Sequence, residues 1–439
     1  MQTFKKLLFL LSAHERSRAG LLLIMVIIMS LLDMIGVASI LPFIAVLTNP
    51  NLIETNNILN LVFQISNRFG VQTNQEFLIF LGALVFLTLI ASLTFRAFFV
   101  FIQTRFIFMR EFSIGKRLVE GYLHQPYSWF LSHHSADLGK TILSEVSKVI
   151  GDGLKPLIEL IGKGILVIFL IALLIIVDPK LIFVVGLSLG CAYLLIFYSV
   201  RNYLTKIGHK RLKSNQSRFT AVSEAFGAAK EVKVGGLEKF FIKNFSNSSQ
   251  IYSKTQALSI VIGQLPRYIL EAIAFGGIIL LIIYKMTQNG NFNNSLPIIS
   301  LYVLAGYRLM PALQQIYSSF TQLTFAGPSI DKLYSDLNNL KANEKDKERN
   351  ILTFNKAITL SHVDYNYPNT SRTALKDINL SIPLNSTVGL IGPTGCGKTT
   401  TVDIILGLLK PKNGTLEVDG KVITEQNSRA WQRLIGYVP

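Results

Sequence analysis

The stretch Gly392-Pro393-Thr394-Gly395-Cys396-Gly397-Lys398-Thr399-Thr400 satisfies every fixed position of the pattern G-x-x-x-x-G-K-[ST]. Glycines at 392, 395 and 397 let the backbone turn tightly and bring its N–H groups up to phosphate oxygens. Such a loop works between a strand and a helix, and both flanks fit. Ser386-Thr387-Val388-Gly389-Leu390-Ile391 is short, apolar and partly β-branched, which predicts a buried strand. The residues from Thr401 to Leu409 predict a helix with one apolar face. Its N-terminus would add partial positive charge where a phosphate sits. Lys398 is then placed to reach the β- and γ-phosphates of ATP, and the Thr399 hydroxyl to ligand Mg²⁺. Pro393, Thr394, Cys396 and Thr400 complete the expected cradle. A chance glycine-rich turn would leave both flanks unexplained.

Upstream the chain changes character. Its 439 residues allow two or three domains, and we divide them into 1–330, a linker at 331–350, and 351–439. Half the residues are hydrophobic and 16% charged, with mean hydropathy +0.42, values of a membrane protein rather than a soluble enzyme. A formal charge of +17 would point to nucleic acid in a soluble chain. Here Lys- and Arg-rich cytoplasmic segments account for it, and no nucleic-acid partner is expected. Cys191 and Cys396 are too few for a disulfide scaffold or a Cys-rich zinc site.

Six apolar stretches are each long enough to cross a bilayer, near 20–47, 77–101, 157–177, 181–200, 260–283 and 296–320. The first is too long for a signal peptide and lacks a small-residue cleavage site. Lys5, Lys6, Arg16 and Arg18 place the N-terminus in the cytoplasm. Segment 48–76, with Arg68 against Glu54 and Glu76, lies outside. Arg105, Arg110, Lys116, Arg117, Lys140 and Lys148 place the next connection inside. After the Asp178-Pro179-Lys180 turn, the Lys- and Arg-rich connection 201–254 is inside again, as is the nucleotide domain.

Those two inner connections are too long for structureless loops. Each reads as a pair of helical extensions of its flanking spans, with a tip that would touch a nucleotide-binding domain. The candidate tips are 124–135, carrying Tyr127, Trp129 and Phe130, and 223–237. Packing between the extensions would explain the aromatic residues equally well.

Six helices with long cytoplasmic extensions, followed by an α/β phosphate-loop domain, resemble an ATP-binding cassette exporter half-transporter. Within the nucleotide domain, Val363-Asp364-Tyr365-Asn366-Tyr367-Pro368 is similar to the family's opening strand, and the resemblance puts Tyr367 where an aromatic ring stacks on adenine. Ala374-Leu375-Lys376-Asp377-Ile378-Asn379-Leu380, Gly407-Leu408-Leu409-Lys410-Pro411, Gly414-Thr415-Leu416-Glu417-Val418-Asp419-Gly420 and Ile435-Gly436-Tyr437-Val438-Pro439 match it too. In that family the last string is followed by a glutamine that senses the γ-phosphate and Mg²⁺. The family's signature loop, catalytic glutamate and switch histidine have no counterpart up to Pro439, so this domain is an incomplete one. The resemblance therefore implies no catalytic residue here, and we expect no family-like ATP hydrolysis from the 439-residue polypeptide alone. It also implies a homodimer, because two such domains ordinarily sandwich ATP.

The strings Leu32-Asp33-Met34-Ile35-Gly36-Val37-Ala38-Ser39-Ile40-Leu41-Pro42-Phe43-Ile44, Leu265-Pro266-Arg267-Tyr268-Ile269-Leu270-Glu271 and Gly306-Tyr307-Arg308-Leu309-Met310-Pro311 are similar to the branch that flips lipid-linked oligosaccharides. That implies a multi-pass protein of the bacterial inner membrane, acting on membrane lipid and a lipid-linked saccharide. Arg96, Arg267 and Arg308 fall in or at the edges of apolar spans, where charge is costly and usually faces a cavity. Three guanidiniums would suit a pyrophosphate head group. Internal pairing is the alternative: Arg267 with Glu271, or any of them with Asp33. Glu159 and Lys163 read as an i,i+4 pair. The outer segment 57–69 has helical apolar spacing and fits either a surface-lying helix or a cap on the spans. Two other functions compete, export of a peptide, drug or other lipid, and a non-catalytic membrane fragment. Binding of an undecaprenyl-pyrophosphate glycan against hydrophobic drugs separates the cargoes, and failure to fold stably would favour the fragment.

Overall fold

In the computed structural model, residues 2–50, 52–68, 70–177, 179–288, 296–340, 352–367, 370 and 373–438 are described. The Asp178 turn position and residues 341–350 of the expected linker 331–350 lie outside them, while residues 331–339 of that linker continue the preceding helix rather than leaving it at 330.

The apolar runs become helices, several of them carrying Pro in the first turn, where it is tolerated. Helices α1 (Gln2–Leu10) and α2 (Ala13–Ala38) are separated by Ser12. Its hydroxyl accepts from the Glu15 N–H while the Glu15 carboxylate accepts from the Ser12 N–H, a capping box that fixes where α2 starts. Pro42 falls in the first turn of α3 (Ile40–Thr48), where its missing N–H costs no helical bond. The short α4 (Leu52–Thr55) and α5 (Asn57–Asn67) follow. Helix α6 (Asn74–Leu123) then runs unbroken for 50 residues. Beyond α7 (Tyr127–Phe130) a composite helix forms. It comprises α8 (Ser135–Lys140), α9 (Val146–Val149) and α10 (Lys155–Val177), joined by π-helical turns at Thr141–Glu145 and Ile150–Leu154. Three more long helices follow, α11 (Pro179–Gly227), α13 (Glu238–Gln288) and α14 (Leu296–Asn339), with the short α12 (Ala229–Val234) between the first two.

Among the described residues, Ala13–Thr48, Asn74–Leu123 and Ser135–Ile176 are long and apolar enough to cross a membrane. Both long basic connections are largely helical, as their length required. Segment 57–69 is α5 up to Asn67. Its Leu59 is buried with Val46, Ile53, Val71, Phe77 and Leu81, while Ile58, Leu61 and Ile65 remain exposed. The helix thus caps a core and still shows an apolar face.

The chain divides into two units, Met1–Lys116 with Lys140–Asn338, and Arg117–Gly139 with Asn339–Pro439. The first is all helical. One of its buried links is ionic: Arg211 donates to Glu145 at 2.7 Å and to the Ser329 hydroxyl at 2.8 Å. Asn215 donates to the other Glu145 oxygen at 2.7 Å. Glu145 and Arg211 are both buried, so this network compensates charges that would otherwise be costly.

The second unit holds a four-stranded antiparallel sheet of β1 (Ala357–Asn366), β2 (Thr373–Pro383), β3 (Asn413–Val418) and β4 (Lys421–Val422), in the order β2-β1-β3-β4. Leu360 stands opposite Leu380 on one side and Leu416 on the other. With Val363, Leu375 and Val418 it forms a core closed by Ile404 of α15 (Lys398–Ile405) and Trp431 of α16 (Ser428–Gln432). Trp431 donates its indole N–H to the Ile405 carbonyl at 2.7 Å. Asp419, just after β3, accepts from the backbone N–H groups of Asn355, Lys356 and Ala357. Desolvation opposes its ionised form, yet the three donors hold its carboxyl below the ordinary value.

Two expectations are corrected here. Residues 386–391 form no strand, and Val388, Leu390 and Ile391 are exposed. A strand needs ladder partners, and no described residue pairs with this segment. The helix after the loop stops at Ile405, not Leu409. Gly407, at φ 66°, takes the left-handed conformation. Its N–H bonds Ile404 O at 2.8 Å and that of Leu408 bonds Asp403 O at 2.9 Å, a Schellman stop.

Candidate functional site

The phosphate-type loop is built as its glycines require. Gly392, Gly395 and Gly397 have φ of 152°, 84° and 93°. A Cβ on Gly397 would stand 2.5 Å from Leu375 Cδ2 and 2.9 Å from the Ala374 carbonyl oxygen. β2 therefore presses on the loop's last turn, and only glycine fits. Pro393, Thr394, Cys396 and Thr399 are exposed. Lys398 Nζ turns back onto the loop, donating to the carbonyls of Gly392 at 2.7 Å and Pro393 at 3.0 Å. With the Thr399 hydroxyl exposed at the start of α15, the loop offers N–H groups, an ammonium and a hydroxyl on one open side. A polyphosphate with a divalent cation fits that donor set.

Tyr367 and Thr400, both expected at the nucleotide, meet each other. The Tyr367 hydroxyl is 2.8 Å from Thr400 Oγ1, and the Tyr367 ring meets Tyr365 edge-on at 5.2 Å. Thr400, expected on the nucleotide, is buried and engaged by Tyr367. On α15, burial raises the Asp403 carboxyl. Tyr127, from the first expected tip, lies in the same unit. Burial raises its hydroxyl, and the charge of Asp403 adds to that, with Tyr437 and Tyr367 also in reach. Trp129 stacks on His133 at 3.8 Å and on Tyr122 at 5.5 Å. Local packing thus takes up Trp129, while Tyr127 lies within electrostatic reach of Asp403 on the nucleotide-loop helix.

In the helical unit the three arginines part company. Arg308 donates to Asp33 at 2.7 Å, and Ser92 donates to the same oxygen at 2.7 Å. Arg96 and Arg308 both lie within electrostatic reach of Lys163, as do Asp33 and Glu159. Arg267 instead pairs with Glu271 at 2.7 Å and is half exposed. It lines a separate pocket of about 110 Å³ with Tyr193 and Met310. Two of the alternative internal pairings are thus present, Arg267 with Glu271 and Arg308 with Asp33, while Arg96 and Arg308 share their electrostatic surroundings with Lys163. Glu159 accepts from Gln315 at 2.6 Å, so it is more than the partner of Lys163.

Comparison with known proteins agrees with this layout. Residues 18–311 match the family model described as ABC transporter transmembrane region, and residues 375–439 the one described as ABC transporter. A protein of Burkholderia thailandensis named ATP-dependent lipid A-core flippase is 22% identical over 311 residues, 70% of this chain and 52% of that protein. One of the same name from Alkalilimnicola ehrlichii is 24% identical over 336 residues, 72% of this chain and 55% of its own length. The chain thus spans about half the length of these curated relatives. A solved structure titled as a bacterial Atm1-family ABC exporter with ATP bound shares the fold at TM-score 0.66 and 14% identity, over 93% of this chain and 69% of that one. A helical membrane domain thus precedes part of a nucleotide-binding domain whose family implies ATP binding. This integral membrane protein belongs to the ABC transporter family.

Proposed function

We propose that this chain belongs to a homodimeric ATP-driven exporter that flips an anionic lipid-linked substrate, a lipid-linked oligosaccharide or a related glycolipid, across a bacterial inner membrane. The observation that carries this reading is a phosphate-binding loop joined in one chain to an ABC transporter membrane region. The relatives named lipid A-core flippases favour a glycolipid cargo. In this reading six helices span the membrane, with the N-terminus and nucleotide domain in the cytoplasm. The chain divides near residues 330 and 351.

The chain's own residues then act as follows. The loop N–H groups and Lys398 hold the β- and γ-phosphates of ATP, and Lys398 gives up the Gly392 and Pro393 carbonyls to do so. Thr399 takes Mg²⁺, which would offset the phosphate charge. Tyr367 packs on the adenine ring. Arg96 and Arg308 attract the substrate's phosphates, and Arg267 acts from its own pocket.

The test is reconstitution of the protein encoded by the complete reading frame in proteoliposomes. ATP-dependent reorientation of lipid A or of an undecaprenyl-pyrophosphate glycan is expected, with loss in Lys398→Ala. Export of hydrophobic drugs or peptides without movement of either glycolipid would overturn the cargo assignment. Unchanged transport in Arg96→Ala, Arg267→Ala and Arg308→Ala would remove the arginines from it.

A further inference from the structure

A cleft of about 740 Å³ opens in the helical unit between α6, the α9–α10 stretch, α13 and α14. Its lining is rich in side-chain amides, from Gln103, Gln256, Gln264, Gln315 and Gln322. Lys148, Asp152, Lys155 and Glu159 also line it. Lys148 and Asp152 neutralise each other as an ion pair. Lys155, exposed in the cleft, makes no ion pair among the described residues. Along α10, Lys155, Glu159 and Lys163 recur every four residues, so they share one helix face over about 12 Å. At the far end of that face Lys163 lies within electrostatic reach of Asp33 and Arg308. Asp33 is buried, accepts from Ser92 and from the half-buried Arg308, and its Oδ2 makes no hydrogen bond among the described residues.

Charge on a membrane-entering helix is costly unless it serves a polar path or a ligand. Glu159 is satisfied by Gln315, which leaves two lysines with donors to offer. Amides supply paired donors and acceptors for hydroxyl groups, and ammonium groups suit phosphate oxygens.

We propose that this face of α10 and the amide-lined cleft before it bind the phosphorylated sugar head group of a glycolipid, with Lys155 and Lys163 on the phosphate and the glutamines on the sugar. This rests on the glycolipid reading above, but adds a site that the three arginines do not describe. Lys155 receives the phosphate at the cleft, and Lys163 takes it one step deeper, beside Arg308.

The test is equilibrium binding of bisphosphorylated lipid A to the full chain in phosphatidylcholine nanodiscs, with dephosphorylated lipid A and soluble glucosamine phosphate as comparison probes. Loss of one charge-assisted contact should weaken lipid A binding about tenfold in Lys155→Gln. Lys163→Met should behave alike, and Lys163→Arg should restore binding. Neither lysine variant should alter the weaker binding of the dephosphorylated lipid, whereas Gln315→Leu should weaken both lipids. Lys155 is exposed, so its variant tests the site even if Lys163→Met does not fold. Unchanged lipid A binding in Lys155→Gln overturns the site and leaves the transport reading standing. Soluble glucosamine phosphate binding as tightly as lipid A overturns the lipid-linked assignment. A wild-type chain that binds no probe overturns this site, and failure of ATP-dependent flipping separately overturns the transport reading.

Discussion

Gly397 carries two constraints at once, a left-handed φ of 93° and the pressure of Leu375 and the Ala374 carbonyl. Ala at this position must strain the backbone and push β2, and each strained residue of this kind costs about 1–3 kcal/mol. We expect Gly397→Ala to lower nucleotide affinity by more than about tenfold, read by displacement of a fluorescent ATP analogue from the full chain. Unchanged affinity would mean that the loop tolerates a shifted β2. Asp419 offers a pH test. Its folded carboxyl, like that of Asp364, sits below the ordinary value of 3.8. The unfolded chain therefore takes up these protons first as pH falls. Their stabilisation is complete above about pH 4 and is lost as pH drops through the lower folded value. Hydrogen exchange at the amides of Asn355, Lys356 and Ala357 should quicken on acidification toward that range. Asp419→Ala should show the quickened exchange already at neutral pH and remove its acid dependence.

At the level of elements, the Glu145–Arg211 pair joins the composite helix α8–α10 to α11, with Ser329 bringing in α14. Removing one partner strands a buried charge, which typically costs 3–5 kcal/mol. Glu145→Ala should markedly lower the melting temperature in detergent, whereas Glu145→Leu with Arg211→Met should recover much of the loss. Equal melting of the single and double variants would mean that packing, not charge, holds the helices there. The resemblance locates part of β1, at 363–366, and marks strings overlapping β2 and β3 without reading them as strands. Segment 386–391, apolar and partly β-branched, is no strand, since pairing is a property of neighbours rather than of the segment. The phosphate-type loop was legible for the opposite reason: a backbone that cradles an anion imposes glycine at fixed local spacing. The contacts of Tyr367 with Thr400, Ser92 with Asp33 and Arg308 with Asp33 join residues 33, 59 and 275 positions apart. No periodicity marks pairs at such separations. Lys163 was similarly hidden by its neighbour Glu159, whose i,i+4 spacing suggested a self-contained pair.

For the whole molecule, the proposed topology makes a labelling prediction. With Cys191 and Cys396 replaced by Ser, a membrane-impermeant thiol reagent on intact cells should label Asn57→Cys and spare Ser223→Cys. The reverse pattern would invert the orientation, and equal labelling of both would break the six-span reading. The two π-helical turns at Thr141–Glu145 and Ile150–Leu154 carry a different consequence. Each holds one residue more than an α-helical turn needs. That surplus can step along the helix as a travelling defect, with hydrogen bonds exchanged one at a time and the rod never broken. Every residue it passes changes phase by about 100°. A step of that surplus past Lys148 would turn it relative to Lys155 while both ends of the helix stay in place. At the cost of its bonds to Asp152 and Gln256, one part of the charged face would then turn without a hinge.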